Sequence, residues 1–301
     1  MIRIVTDSVA SIPTALADKE GIEVVTLYVN YKGVEYADVD IDLDEFYQDI
    51  YDMLDDLPTS SQPSQLVLET LFESAAQAGD EVLGIFISSA MSGTYDGAVR
   101  AARAVKSRNI DFSYIIIDST SNSFDEAWPV LAANRARKAG GDLWTCAEAA
   151  LSSIRSSRFL FTPETLTFLQ KGGRIGNASA LLGNIMKIAP VLTVKDGEAG
   201  TFAKVRTQRK ALDKILETFK EDVDKQGLKD VVVHYIGSKL PAAKWAQERV
   251  EPLVGRAVSV IPVSPVIGLH VGPAVGISYE CKGFLQGKLS PSAKINLCAS
   301  S

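Results

Sequence analysis

Two patterns alternate along the first half of the chain and limit the folds open to it. Short runs rich in β-branched apolar residues, as in strands, are followed by stretches whose apolar residues recur every three or four positions, as in helices. This alternation favours a parallel sheet covered by helices. The predicted strands cover residues 2–5, 22–29, 82–87 and 112–117, and the predicted helices cover residues 42–54, 65–78, 97–105, 122–139 and 143–154.

The second half follows a different order, which indicates a mixed sheet. Residues 188–194 and 201–205 flank the turn Asp196-Gly197-Glu198, a pattern typical of a hairpin. Further strands are predicted at 231–236, 257–263 and 274–279, with helices at 210–221 and 241–254.

The two halves together predict an α/β fold of two domains with a ligand cleft between them. The N-terminal domain, residues 1–158, is expected to hold the mainly parallel sheet, and the C-terminal domain, residues 159–290, the mixed sheet. Residues 291–301 are expected to form a tail.

The composition argues against several classes of protein. Hydrophobic residues make up 46% of the 301 residues and charged residues 23%, which are values of a globular protein. The net charge of −6 argues against general nucleic-acid binding, which requires a basic surface. Two histidines and three widely spaced cysteines offer no zinc or redox spacing. Without a signal peptide pattern or an apolar run near the roughly 20 residues of a membrane span, a cytoplasmic protein is expected.

Two hydroxyl-rich segments, residues 59–64 and 88–95, are the strongest candidates for a ligand site. Ser60 lies in the first segment, and Ser92 lies in the second, where a predicted strand leads through a small turn toward a predicted helix. The free amides at a helix start and nearby hydroxyls bind anions, so a negatively charged ligand is expected. Serine is also a favoured helix cap and a common loop residue, so purely structural roles for both serines remain open.

Glycine-rich segments contain three further candidates. His270 lies in segment 268–273, which is predicted to be a loop, and a structural role is its alternative. Arg174 follows two glycines, and a solvated loop arginine is its alternative. Arg206, after predicted strand 201–205, is a weaker candidate for the same neighbourhood.

Two other ionisable residues are expected to have structural roles. His234 is interpreted as an ordinary residue of predicted strand 231–236. Asp7 lies at the end of the first predicted strand, where an aspartate readily accepts hydrogen bonds from nearby backbone amides. A loop-orienting role for Asp7 is favoured over that of a catalytic acid or metal ligand.

The motifs of several enzyme classes are missing from the sequence. It contains no Gly-x-x-x-x-Gly-Lys-Ser/Thr phosphate loop, no Gly-x-Gly-x-x-Gly after a strand, and no Gly-x-Ser-x-Gly elbow around Ser92. We therefore expect no cofactor and no metal, and a chain that binds an acidic ligand rather than one that converts it alone.

Five segments resemble, in the same order, those of the DegV family. They are Val5-Thr6-Asp7-Ser8, Ser60-Ser61-Gln62-Pro63-Ser64, the segment from Ser88 to Tyr95, Lys171-Gly172-Gly173-Arg174-Ile175, and Gly268-Leu269-His270-Val271-Gly272-Pro273. One position departs from the family pattern, because Ser60 stands where the family usually has threonine. The hydroxyl is kept and the methyl group is lost, so a hydrogen-bonding role survives with looser local packing.

The resemblance implies binding of a long-chain fatty acid (C14–C18). Its carboxylate would be held by Ser60, Ser92 and His270, and its acyl tail would lie in an apolar tunnel. A separate fatty acid kinase subunit is implied as partner and would phosphorylate the bound acid. Residues implied to support the site or to dock the partner are Arg174, Gly93, Thr94 and Arg206.

Two other functions are compatible with parts of the sequence. A serine hydrolase of acyl esters would use Ser92 as nucleophile and His270 as base, although the elbow motif is missing. A nucleotide-binding α/β domain is a further alternative, and the missing phosphate loop argues against it.

Overall fold

The computed structural model describes residues 1–48, 50–285 and 294–298. The strands are β1 (Ile2–Asp7), β2 (Ile22–Val25), β3 (Tyr28–Tyr31), β4 (Val34–Ala37), β5 (Thr59–Ser61), β6 (Glu81–Phe86), β7 (Tyr114–Asp118), β8 (Ser157–Pro163), β9 (Ala189–Lys195), β10 (Glu198–Val205), β11 (Leu228–Ile236), β12 (Ser259–Pro262), β13 (Ala274–Cys281) and β14 (Ile295–Cys298). The α-helices are α1 (Thr14–Glu20), α2 (Leu43–Gln48), α3 (Gln65–Gln77), α4 (Thr94–Arg108), α5 (Ser123–Lys138), α6 (Leu143–Ser156), α7 (Thr167–Lys171), α8 (Gln208–Gln226), α9 (Lys239–Trp245), α10 (Glu251–Val254) and α11 (Pro265–Val271). Among the described helices, none has both the length and the apolar character needed to cross a membrane.

The first sheet has the strand order β14-β7-β6-β1-β2. Its pairs β1–β2, β1–β6 and β6–β7 are parallel, which confirms the sheet predicted from the alternating pattern. Successive side chains of a strand point to opposite faces, so Ile4 and Val5 belong to two different cores. Helices α3 and α4 cover the face of Val5, and α5 and α6 cover the face of Ile4.

The second sheet is mixed, as predicted, with the order β10-β9-β8-β13-β11-β12. Only the pair β11–β12 is parallel among its described pairs. Helices α8 and α9 cover one face through Ile215, Phe219 and Trp245. The opposite face contributes Phe159 and Phe161 to a core that is shared with Leu27 and Ile87 of the first domain. The ligand cleft is expected at this shared core.

A third sheet, β4-β3-β5, corrects the prediction of a single strand over residues 22–29. The chain leaves the first sheet after Val25, and the Leu27 amide donates to Ser8 Oγ at 3.0 Å. A new strand then begins at Tyr28. Strand β5 pairs with β3 so that Ser60 lies opposite Val29, and this pairing sets the position of Ser60.

Two of the predicted helices are divided in the structure. Predicted helix 42–54 is divided, since α2 ends at Gln48 and a 3-10 turn covers Asp52–Leu54, while residue 49 lies outside the described residues. Predicted helix 241–254 consists of α9, a π-helical turn at Ala246–Val250, and α10. The proposed boundary between residues 158 and 159 falls inside β8.

The C-terminal segment is not a tail throughout. Within predicted tail 291–301, residues 295–298 form β14, which pairs antiparallel with β7 of the first sheet. Residues 286–293 and 299–301 lie outside the described residues. Without β14, β7 would be an edge strand with unpaired amides and carbonyls. Pairing with β14 satisfies these groups.

Candidate functional site

A cavity of about 550 Å³ lies between the two domains. This volume is within the range of small-molecule sites, and most of the wall is apolar. The apolar wall consists of Leu27, Ile87, Ala90, Met91, Phe159, Phe161, Leu169, Val194, Ala199, Ile236, Val263, Val266, Ile267, Val271 and Ala274. The polar side chains that line the cavity are Ser60, Ser61, Gln62, Ser89, Ser92, Asn122, Arg174, His234, Tyr235 and His270.

Ser60 and His270 meet at the wall of this cavity. Ser60 Oγ and His270 Nε2 are 3.1 Å apart, a hydrogen-bonding distance. His270 lies in the last turn of α11 and is 9% exposed. The prediction of a loop at 268–273 is therefore wrong for Gly268–Val271, because α11 begins at Pro265 after the Ser264 hydroxyl accepts from the Val266 amide.

The second imidazole nitrogen of His270 lies against backbone. Nδ1 is buried and has no hydrogen-bond partner among the described residues. A Cβ at position 172 would lie 2.5 Å from Nδ1, so the ring can occupy this place only because residue 172 is glycine. Burial and, to a smaller extent, the nearby Arg174 charge lower the pKa of His270 to about 4, so the imidazole is neutral at neutral pH.

Ser92 lies in the turn that leads into α4. Its Oγ is 2.9 Å from Thr94 Oγ1 and accepts from the Thr94 amide at 3.3 Å. Gly93 is the N-cap residue of α4, and no side chain caps the helix from that position. The Ser92 hydroxyl thus supports the helix start and also lines the cavity, so the capping and ligand-binding roles are compatible.

The two hydroxyl-rich segments are in contact with each other. A Cβ at Gly93 would lie 2.2 Å from Gln62 Oε1, so the Gln62 side chain packs against the start of α4. Gln62 belongs to the same segment as Ser60 and also lines the cavity. The two segments are separate in sequence but form one continuous polar region of the wall.

The turn Ser88–Ser92 is also held by the second domain. The Ser88 hydroxyl donates to the Gly197 carbonyl at 2.8 Å, at the tip of the β9–β10 hairpin. The same hydroxyl accepts from the Ala90 amide at 3.2 Å. One side chain therefore connects the polar turn of the first domain to the second domain.

Arg174 provides a cation at the same cavity. Its side chain is exposed and lines the cavity, and Nη1 donates to the Gly172 carbonyl at 2.8 Å. The segment that carries Arg174 therefore also carries the glycine on which the His270 ring packs.

Five of the seven residues predicted for the head group or its support line one cavity. These are Ser60, Ser92, Gly93, Arg174 and His270.

Comparison with known proteins then identifies the family. A family model described as an uncharacterised protein of the DegV family matches residues 1–282. A DegV domain-containing protein of Clostridium acetobutylicum is 39% identical over 284 residues, which is 92% of this chain and 97% of that protein. The chain belongs to the DegV family.

Solved structures of DegV-family proteins have the same fold. A structure described as a stearic acid-binding protein from Eubacterium ventriosum has a TM-score of 0.84 and 27% identity, and the match covers 94% of this chain and 99% of that one. DegV of Bacillus subtilis, described as a fatty acid binding protein, has a TM-score of 0.81 and 29% identity over 93% and 99% of the two chains. The family resemblance and the two-domain α/β fold predicted from the sequence are confirmed.

Two of the residues predicted to support the site or to dock the partner do not line the cavity of this DegV-family protein. Thr94 is fully buried beneath the turn, where it bonds to Ser92 and does not line the cavity. Arg206 follows β10, is exposed, and is not among the described residues that line the cavity. Position after a strand end was therefore too weak a signal for Arg206.

Asp7 has the structural role that its strand-end position predicts. Its carboxylate accepts from the Val9 and Ile87 amides, each at 2.9 Å, and so ties the ends of β1 and β6 together. Burial raises the pKa of Asp7 to about 7, against the lowering effect of these two amides.

His234 lies in a strand, as predicted, but it also forms part of the cavity wall. Its Nδ1 is 3.1 Å from the Ile261 carbonyl, and its ring packs against Phe159. Burial lowers the pKa of His234 to about 4, so this imidazole is also neutral at neutral pH. The sequence signal that could have placed His234 in the cavity wall is a polar residue within an otherwise apolar strand.

Sequence reasoning missed several polar residues of the cavity wall, among them Gln62 and Asn122. Gln62 lies inside the hydroxyl-rich segment 59–64, in which Ser60 is the one residue predicted to hold the head group. Asn122 follows β7, and its Nδ2 is 3.2 Å from Met91 Sδ. The rule that ligands lie beyond the carboxyl ends of parallel strands is a signal that could have found Asn122.

Proposed function

We propose that this protein binds one long-chain fatty acid (C14–C18) per chain. The observation that carries the proposal is the combination, in one cavity, of an extended apolar wall and a cluster of hydroxyl, imidazole and guanidinium groups. A fatty acid has the matching chemistry, since it joins an apolar tail to an anionic head. The stearic acid-binding protein and the Bacillus subtilis DegV support the same ligand class, because both share the fold.

In this proposal the carboxylate lies at Ser60, Ser92 and His270. With the imidazole proton on Nε2, His270 donates to Ser60 Oγ and leaves the serine hydroxyl free to donate to a carboxylate oxygen. Such hydrogen bonds reduce the cost of burying a charged group, and the nearby Arg174 guanidinium reduces it further.

The acyl tail is the main source of affinity. Burial of one methylene contributes about 0.8 kcal/mol, so a 14-carbon chain contributes roughly 10 kcal/mol before entropic losses. The polar groups then determine which end of the ligand lies at Ser60. They contribute less to affinity than the tail does.

The proposal includes a partner, a fatty acid kinase subunit that phosphorylates the bound acid. Arg174 is exposed, so part of the head-group region is open to a second protein. We expect His270→Ala and Arg174→Ala to lower acyl-phosphate yield with a cognate kinase more than they lower fatty-acid affinity. Arg209→Ala is the matched control, because it removes an exposed arginine of α8 that does not line the cavity. Equal losses in both assays would reduce His270 and Arg174 to ligand contacts.

Native mass spectrometry of the purified protein, followed by lipid extraction, tests the binding function. We expect a mass increase of one fatty acid per chain and recovery of that acid. A protein that carries no acid, and binds none in calorimetry after delipidation, would contradict the proposal.

The alternative of a serine hydrolase has less support. It requires Ser92 and His270 to act together, but His270 pairs with Ser60 and Ser92 pairs with Thr94. His270 Nδ1 also has no partner among the described residues to orient the ring as a catalytic base. Steady turnover of a nitrophenyl ester that disappears in Ser92→Ala would favour the hydrolase.

A further inference from the structure

The last described strand lies beyond the part of the chain that the family model matches. The family model ends at residue 282, whereas β14 covers Ile295–Cys298. Its register with β7 pairs Ile295 with Ile117 and Cys298 with Tyr114. The strand therefore extends the first sheet beyond β7. Its first residue lies beside the C-terminal end of β7, after which the chain reaches Asn122 of the cavity wall.

Lys294, the residue before β14, contacts this corner of the cavity in two ways. Its carbonyl accepts from the Asp118 amide at 3.0 Å, at the end of β7. Its Nζ donates to Ser89 Oγ at 3.0 Å, and Ser89 lines the cavity in the same turn as Ser92. The backbone contact holds the lysine at the strand end, and the ammonium group reaches the head-group turn.

A buried carboxylate lies under the same turn. Asp118 is 2% exposed, and its Oδ1 accepts from the Ser89 amide at 3.3 Å and the Thr120 amide at 2.8 Å. Burial raises the pKa of Asp118, while its bonds to Ser89 and Thr120 and the charge of Lys294 lower it. A carboxylate here disfavours a second anion nearby, and the Lys294 charge offsets that repulsion.

We propose that Lys294 is a positioning residue for the fatty-acid head group. Strand β14 fixes its ammonium group on Ser89, where it orients that hydroxyl and compensates the Asp118 charge beneath the anion site. The proposal rests on the fatty-acid-binding function above and assigns to this C-terminal strand a role in ligand affinity.

The test measures the Kd for myristate by calorimetry on delipidated protein. Lys294→Met should raise the Kd by about two- to tenfold, the size expected for the loss of one hydrogen bond and one exposed charge. Lys294→Arg should keep most of the wild-type affinity, because the arginine keeps a charged donor. Lys220→Met, which removes an exposed charge from α8 outside the cavity, should leave the Kd unchanged. Raising the salt from about 0.05 M to about 0.5 M should narrow the difference between wild type and Lys294→Met, as expected for a screened charge.

A double-mutant cycle tests whether Lys294 acts through Ser89. In a Ser89→Ala background the effect of Lys294→Met should be smaller than in wild type. A Kd for Lys294→Met equal to that of wild type, or a loss that arginine fails to restore, would overturn the inference while the binding function stands. Failure of the wild-type protein itself to bind myristate would instead contradict the proposed function.

Discussion

The Ser60 hydroxyl has two compatible partners at the polar part of the cavity, because a hydroxyl can accept one hydrogen bond and donate another. It is 3.1 Å from His270 Nε2, and in the proposed complex it also donates to the carboxylate. The departure from the threonine usual in the family keeps this hydroxyl. At the scale of single residues, affinity for the head group therefore depends on a few hydrogen-bond donors. Loss of any one of them leaves a carboxylate oxygen without a partner.

Ser60→Ala and Ser92→Ala are each expected to weaken fatty-acid binding by roughly 1–3 kcal/mol, because a buried charge loses a donor. Calorimetry on delipidated protein measures the change. Ser64→Ala is the matched control, since Ser64 caps α3 through the Val67 amide and does not line the cavity. It should lower stability and leave affinity unchanged. Unchanged affinity in the Ser60→Ala/Ser92→Ala double variant would remove both serines from the site.

Gly172→Ala is expected to displace the His270 ring, since the added Cβ would lie 2.5 Å from Nδ1. The Ser60–His270 hydrogen bond should then break, and affinity should fall by roughly 1 kcal/mol or more. Gln170→Ala, at an exposed position of α7 just before Gly172, is the control and should bind as wild type does. Wild-type affinity in Gly172→Ala would show that the ring position is not needed for binding.

At the scale of elements, a hairpin from the second domain braces the head-group turn of the first. The tip of β9–β10 has positive φ at Asp196 (54°) and Gly197 (82°), the conformation of a tight hairpin turn. The Gly197 carbonyl accepts from the Ser88 hydroxyl, and a Cβ on Gly197 would lie 2.5 Å from Ser88 Oγ. The glycine therefore serves both the turn and the contact between domains.

Two glycine-to-alanine changes can separate these roles. The β3–β4 hairpin has a similar turn, with φ of 51° at Lys32 and 79° at Gly33, and no atom within 4 Å of a Cβ on Gly33. Gly33→Ala should lower the free energy of unfolding by about 1–2 kcal/mol through backbone strain alone. Gly197→Ala should lower the free energy of unfolding by roughly 1 kcal/mol more than Gly33→Ala does, and it should also weaken fatty-acid binding. Urea denaturation and calorimetry measure both, and identical results for the two variants would argue against bracing by the hairpin.

At the scale of the whole molecule, buried polar contacts join the two domains around the cavity. Trp128 Nε1 donates to Ser278 Oγ at 2.9 Å, and the Ser264 hydroxyl donates to Asp38 at 2.8 Å. His234 lies in the same interface, against Phe124 on α5 and Phe159 on β8. Because Asp38 and His234 are buried ionisable groups, their protonation affects the stability of the whole protein.

The pKa of His234 is about 4 in the folded protein and about 6.5 in an unfolded chain, so it adds stability above pH 6.5. That stability is lost as the pH falls toward 4, by at most about 1.4 kcal/mol per pH unit. We expect the free energy of unfolding to fall less steeply between pH 6.5 and 5 in His234→Leu than in wild type. Asp7, with a pKa of about 7, has the opposite pH dependence but is present in both proteins. Parallel pH profiles from urea denaturation would contradict the assignment.

The sequence by itself determined the type and order of most elements. Local periodicity decides whether a segment can bury one face as a helix or as a strand, which is why α3, α5 and α6 match their predictions within two residues at each end. The Asp196-Gly197 turn was equally local, because its backbone conformation favours these residues. The two hydroxyl-rich segments were local patterns as well, whereas the prediction that Ser60, Ser92 and His270 hold a carboxylate followed from the family resemblance.

Only the tertiary structure decided which of these residues act together. Ser60 and His270 are 210 positions apart, and their contact depends on β5 pairing with β3 and on the packing of α11. Arg206 follows a strand end, as many ligand-binding residues do, but it does not line the cavity. The pairing of β14 with β7 likewise depends on a sheet edge that is distant in sequence, and no local pattern encodes it. Periodicity specifies how a segment buries its own side chains, whereas the partner of a side chain depends on how all segments pack.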